Sequence, residues 1–125
     1  MARKSSFPRR SWVYLVNLDP TVGREIRKTR PAVIVSNDHM NELAGTVLVM
    51  PITSGHYSYY HWIPLDPPEA GLTKSSTIVT EQIRAIDKRR LGRRLGSVRR
   101  ITLELIEQAV RDHFGLPEGG VLPME

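Results

Sequence analysis

Arg30-Pro31-Ala32-Val33-Ile34-Val35 and Thr46-Val47-Leu48-Val49-Met50-Pro51-Ile52-Thr53-Ser54-Gly55 are the two stretches that decide the fold. Each is a short apolar run rich in β-branched residues and bounded by turn formers, the pattern of a strand buried in a sheet. Pro31 opens the first run, where proline is tolerated, and pushes Arg30 into extended backbone. Pro51, near the end of the second, points to an edge or a bulge. Arg30 and Thr53 therefore fall at strand ends, where a sheet fixes a side chain and the adjoining loop leaves it open to a ligand.

Outward from this pair, Trp12 to Leu18 reads as a strand buried on both faces and stopped by Asp19-Pro20. Thr21 to Thr29, with Gly23 and several charges, is too polar for a core and reads as a mobile loop. Asn37 or Asp38 can cap a short helical turn through Leu43, and Gly45 turns the chain into the second run. Ser54 to Ser58 is polar loop. Tyr59 to Leu65 reads as an edge strand with Tyr60, Trp62 and Pro64 on one face. After a loop from Asp66 to Lys74, Ser76 to Ile86 reads as one longer strand with Ile78, Thr80 and Gln82 opposite to Val79, Glu81 and Ile83, and Asp87 to Arg90 turns the chain. Leu103, Ile106, Val110 and Phe114 fall at helical spacing before Gly115, which predicts a helix over Ile101 to Phe114. The expected fold class is α+β: a small, barrel-like, mostly antiparallel sheet with one C-terminal helix.

The 125 residues, 40% of them hydrophobic, fit one domain with a single core. It is expected to span 1–116, beginning with a basic arm over 1–10, and to be followed by a flexible tail over 117–125. With no cysteine, disulfides, thiolate nucleophiles and Cys-based zinc sites are excluded. No run is apolar for long enough to form a membrane helix and the basic start lacks the apolar stretch of a signal peptide, so no membrane association and a cytoplasmic location are expected. The net charge of +5 is uneven: Met1 to Arg30 holds eight Lys/Arg against two acids, Pro31 to Thr80 one against four, and Arg84 to Arg100 eight against one. Brought together, the two basic poles would form a salt-sensitive groove for polyanions.

The run from Asp19 to Gly55, with Arg30 and Thr53 at its strand ends, and a second block from Glu81 to Leu91 together resemble MazF/PemK-type toxins, endoribonucleases of toxin-antitoxin pairs. The resemblance covers about Trp12 to Leu116 and implies a MazF/CcdB-like fold, a homodimer, and a cognate acidic antitoxin, partly disordered, whose C-terminal segment covers the groove. It implies Arg30 and Thr53 as the catalytic pair acting on single-stranded RNA, without a cofactor or metal. Two positions depart from the family pattern. Its first strand commonly starts Arg-Gly-acid where this chain has Arg10-Ser11-Trp12, and its last helix often starts Ser-Pro where this chain has Arg99-Arg100, which removes a cap and weakens the helix start.

RNA scission needs no protein nucleophile, because the ribose 2′-hydroxyl attacks its own phosphate once it is oriented and the developing charge is stabilised. Arg30 supplies a planar fork of donors and Thr53 a hydroxyl for a non-bridging oxygen. A guanidinium is a poor base near neutrality, so Glu25 is the candidate for proton abstraction or for orienting Arg30. Arg27 and Lys28 suit phosphate, as Ser54 does beside Thr53; Gln82 and Arg84 suit base edges or phosphates, and Gln82 equally suits a buried backbone group. His56 and His61 invite a histidine-pair nuclease, but no His/Asp/Glu cluster, His39 and His113 included, has metal-ligand spacing. Tyr59, Tyr60 and Trp62 suit base stacking, a core or a dimer contact. Two other classes stay open: a CcdB-like gyrase-binding toxin, which needs no phosphate-stabilising couple, and a non-catalytic RNA-binding module.

Overall fold

The computed structural model of the protein describes residues 6–117. The first half of the expected arm and nearly all of the expected tail lie outside them. In chain order the elements are β1 (Trp12–Asn17), β2 (Thr29–Ile34), α1 (Asp38–Leu43), β3 (Thr46–Ser54), β4 (Ile63–Leu65), β5 (Ser76–Ile78), β6 (Arg84–Asp87), β7 (Leu91–Ser97) and α2 (Arg100–Phe114). The strands pair antiparallel in the order β4-β5-β3-β2-β1-β7, with β6 also on β3. The sheet is barrel-like only in its antiparallel path, which is open and not closed into a barrel. Among the described residues no helix is long and apolar enough to cross a membrane.

β2 and β3 are the centre of the sheet because their neighbouring side chains feed two cores at once, as the strand period of two requires. Val33, Met50 and Ile52 join Ile63, Leu65 and Ile78 under Ile106 of α2, while Ile34, Val47 and Val49 join Val16, Leu18 and Ile86 on the other face. β1 departs from the expected two-faced burial. Val13 and Val16 are fully buried but Tyr14 and Leu15 only half so, because the β1–β7 register shifts after Val13 and again after Tyr14. At the start of α1 Asn37 accepts a hydrogen bond from Met40 N, so the capping expectation holds there.

Four further sequence readings need correction. The expected strand Ser76 to Ile86 is two, β5 and β6, split by a 3-10 turn at Thr80–Gln82. The chain leaves the ladder where Thr80 buries its hydroxyl against His61 O at 3.0 Å and His113 Nε2 at 2.9 Å. Tyr59 to Leu65 is strand only from Ile63: Trp62 N donates to Tyr59 O in a turn, and His61 at φ 59° breaks the extended chain. β7 was not foreseen, since Leu-Gly-Arg-Arg-Leu-Gly-Ser is a poor strand sequence. Its Gly96 is needed for contact, as a Cβ there would meet Ala70 C at 2.7 Å, and one on Gly71 would meet Leu95 O at 1.9 Å. Finally, Phe114 does not join the core: α2 packs through Leu103, Ile106, Ala109 and Val110, and Phe114, its last residue, is 64% exposed.

Both departures from the family pattern have structural answers. Ser11 takes φ 78°, the left-handed region that glycine enters freely, and Trp12 carries the Arg94 guanidinium 3.9 Å from its ring centroid. The start of α2 is capped by another segment. Glu69 accepts from Arg99 N at 3.0 Å and from Thr102 Oγ1 at 2.6 Å with one carboxylate oxygen, and from Arg99 Nε at 3.0 Å with the other. Burial pushes the Glu69 carboxyl up, but the bonds from Thr102 and Arg99 outweigh it and hold the group below its ordinary value.

Candidate active site

The β2–β3 ladder ends at Pro51, and that ending opens the site. Its ladder with β2 runs Ile34↔Val49, Val33↔Met50, Ala32↔Pro51 and stops, while Ile52, Thr53 and Ser54 pair with β5. Beyond Ala32, β2 keeps only β1, with Arg30 opposite Val16. Where the two strands part lies a cleft of about 220 Å³ lined by Thr29, Arg30 and Pro31, by Ile52 and Ser54, and by Leu72, Thr73, Lys74 and Ser76. Proline suits this corner: Pro31 has no N–H to give β3, and Pro51 faces the other edge, where its carbonyl takes Val79 N at 2.9 Å.

Alternation places the side chains. Ala32 and Pro51 are paired and share a face, so Arg30 and Thr53, each two residues further on, belong to that same face. Ser54 lies on the cleft wall and Thr53 on the opposite side of its own strand. On the Thr53 side a second cleft, of about 320 Å³, is lined by Glu25, Ile26, Pro51, Glu81, Gln82, Ile83 and Arg84. Arg30 thus borders the first cleft while its side chain belongs to the face of the second.

The expected site residues divide accordingly. Arg30 is oriented by its own loop, Nε donating to Arg27 O at 3.0 Å. Among the described residues its terminal nitrogens, the Thr53 and Ser54 hydroxyls and the Lys74 ammonium make no hydrogen bond or ion pair, so they are free to take an anion. Glu25 does not orient Arg30: its carboxylate accepts from Val22 N at 2.6 Å within the loop. Gln82 accepts from Ile26 N at 2.7 Å and donates to Arg24 O at 3.3 Å, and Arg84 Nη1 donates to Leu18 O at 3.1 Å, so both hold the β1–β2 loop against the sheet. Arg27 and Lys28 are exposed on that loop, Arg27 bonded to Gly23 O at 3.3 Å. Lys28 sits at φ 72°, a strained value for a residue with a Cβ, just before β2.

The expected pair of His56 and His61 does not converge; His61 lies instead beside His113, ring centroids 5.6 Å apart. His56 pairs with Asp66 at 3.0 Å, His61 with Asp112 at 2.7 Å, and His113 meets Thr80. Sequence reasoning missed Lys74. The available signal was its being the single Lys or Arg between Pro31 and Thr80, set in a polar run directly before a strand.

Residues 9–114 match the family model of the PemK-like, MazF-like toxin of type II toxin-antitoxin systems. The chain is 36% identical to Endoribonuclease MazF9 of Mycobacterium tuberculosis (strain ATCC 25618 / H37Rv), over 86% of this chain and 97% of that protein. It is 34% identical to Endoribonuclease MazF of Staphylococcus epidermidis, over 86% of this chain and 92% of that one. Its fold superposes with a TM-score of 0.73 on a mycobacterial endoribonuclease solved in complex with its cognate antitoxin, at 27% identity over 88% of this chain and 97% of that chain. The strand-end geometry and these likenesses agree, and the chain belongs to the PemK-like, MazF-like toxin family of type II toxin-antitoxin systems.

Proposed function

We propose that the protein is the toxin of a toxin-antitoxin pair and acts as an endoribonuclease on single-stranded RNA. The observation that carries this reading is the corner where β2 and β3 part, with Arg30 and Thr53 on one face and Ser54 and Lys74 lining the cleft on the other, none of them bound to an acid among the described residues. A phosphodiester placed there has its charge met by fixed donors in a site the sheet holds rigid. The ribose O2′ bonds to phosphorus, the P–O5′ bond breaks, and the O5′ leaving group takes a proton, giving a 2′,3′-cyclic phosphate and a 5′-hydroxyl. Arg30 and Thr53 stabilise the charge of the crowded phosphorus. Glu25, across β3 from the first cleft, is the acceptor for the 2′-hydroxyl proton once the β1–β2 loop moves, and Arg27 and Lys28 neutralise neighbouring phosphates. The same basic surface suits an acidic antitoxin, and a homodimer acting in the cytoplasm fits the family.

The test is purified protein incubated with a long RNA in EDTA, beside Arg30→Ala and Thr53→Ala, with the cut ends mapped. Cleavage yielding cyclic phosphates, and a loss on the order of hundreds-fold in rate for Thr53→Ala, are expected. Cleavage of an RNA carrying 2′-deoxyribose at the scissile position would refute the mechanism, and absence of cleavage would return the chain to the binding classes.

A further inference from the structure

The β3–β4 loop carries an aromatic cluster that the phosphate chemistry does not use. Tyr57 and Tyr59 are 58% and 70% exposed, large values for rings in a folded domain. Both are anchored on Trp62, whose ring meets Tyr59 edge-on at 4.9 Å and Tyr57 at 6.4 Å. The indole is itself fixed, Nε1 donating to Glu81 Oε1 at 2.7 Å. Together with His56, Ser58 and Pro64 the three rings line a notch of about 340 Å³, room for one flat heterocycle.

The notch is joined to the proposed site by backbone. A Cβ on Gly55, the residue after Thr53-Ser54, would lie 3.0 Å from the Tyr57 ring, so that ring rests on the end of β3. Tyr57 N donates to Thr77 Oγ1, and Thr77 is the cross-strand partner of Thr53. The rings are thus held in register with Thr53 and not on a free loop.

We propose that Tyr57 and Tyr59 form a stacking platform for one unpaired nucleobase of the RNA, next to the phosphate bound between Arg30 and Thr53, and so help to choose where the strand is cut. The inference rests on the endoribonuclease reading. Stacking suits this place because the rings expose π faces beside a cationic corner. Phosphate held on one side and a base on the other would fix the ribose between them, which is the orientation that O2′ attack needs.

The test uses the full-length protein and short oligoribonucleotides spanning the mapped cut, with 2′-deoxyribose at the scissile nucleotide to prevent cleavage. One abasic residue is moved through the flanking positions, and affinity is read by fluorescence anisotropy for wild type, Tyr57→Ala, Tyr59→Ala, Tyr57→Phe and Arg30→Ala. In wild type, one abasic position should weaken binding roughly 5- to 150-fold. In Tyr57→Ala or Tyr59→Ala that position should cost little further, while Tyr57→Phe and Arg30→Ala keep the penalty. If wild type cuts RNA and the abasic penalty survives in both alanine variants at every position, the platform is overturned alone. If wild type neither cuts nor binds RNA, the endoribonuclease reading falls and the platform with it.

Discussion

Replacing Glu69 by Ala tests how the chain compensates for a helix start with two arginines and no capping side chain of its own. The Glu69 side chain is 7% exposed and takes three bonds, from Arg99 N, Arg99 Nε and Thr102 Oγ1. Loss of the bond to Arg99 N is the loss of an N-cap, about 1 kcal/mol. The Thr102 hydroxyl, on a residue only 2% exposed, is left unpaired, at about 1–3 kcal/mol. The ion pair adds nearly nothing, because the Arg99 side chain is 70% exposed and water screens it. The sum, about 2–4 kcal/mol, corresponds to a fall in Tm of about 10 °C for a chain of this size. The pH dependence has a definite sign. A carboxyl held below its ordinary value stabilises fully above the unfolded carboxyl pKa of about 4.3, and that stabilisation is lost as pH falls through the folded value. The gap between wild type and Glu69→Ala should therefore be widest near neutrality and narrow in acid, while Glu69→Gln, which keeps the shape, should show only the charge-dependent part. Circular dichroism melts at fixed protomer concentration measure this. A Glu69→Ala variant within about 0.5 kcal/mol of wild type, or a gap that ignores pH, would refute the capping argument.

Lys74→Ala should raise KM for RNA and lower the slope of log affinity against log salt by about one, with kcat nearly unchanged; an unaltered slope would remove Lys74 from the phosphate path. Gln82→Ala should speed hydrogen exchange at the Ile26 amide by about fivefold, since that N–H donates to the Gln82 side chain, and equal exchange would mean the β1–β2 loop is held by other bonds. Ser11→Gly should stabilise by about 1 kcal/mol in denaturant melts, because a left-handed residue with a Cβ is strained, and a loss of stability would show that the Ser11 side chain matters more than its backbone. Gly71→Ala should cost more than about 3 kcal/mol, seen as loss of soluble protein, because its Cβ would overlap the Leu95 carbonyl oxygen.

What was legible in the sequence was local. Runs buried on both faces, such as Val33-Ile34 and Val49-Met50, announce a central strand because each residue has the same need whichever face it takes. The signals that failed depend on partners distant in the chain. β7 looks like a loop until Gly96 is seen crossing Gly71, and the 3-10 break at Thr80 depends on His61 and His113, neither of which marks residue 80. For the candidate site, the strand placement of Arg30 and Thr53 was readable because a proline stands within two residues of each. That Gln82 and Arg84 are engaged by the β1–β2 loop was not, since a side chain able to bond a base edge or a backbone amide has the same sequence in either case.

Pro31 also explains why the charged groups remain available. A continuous ladder between β2 and β3 past Ala32 and Pro51 would set Arg30 against Thr53 within the sheet, where backbone pairing leaves no room for a phosphate. The β2–β3 ladder instead stops at Pro51, while β5 pairs with Ile52, Thr53 and Ser54 along the other edge of β3. Arg30 and Thr53 then share a face across an open corner. On the opposite side Val79 bonds Pro51 O, so β5 and β6 flank the same residue from one edge and fix its position. A substitution that restored the N–H missing from the β3-facing edge of β2, Pro31→Val, would favour extension of the β2–β3 ladder and closure of the cleft. It should lower cleavage while sparing or raising stability; a variant that cuts RNA at the wild-type rate would show that the parting of the strands is held by something other than proline.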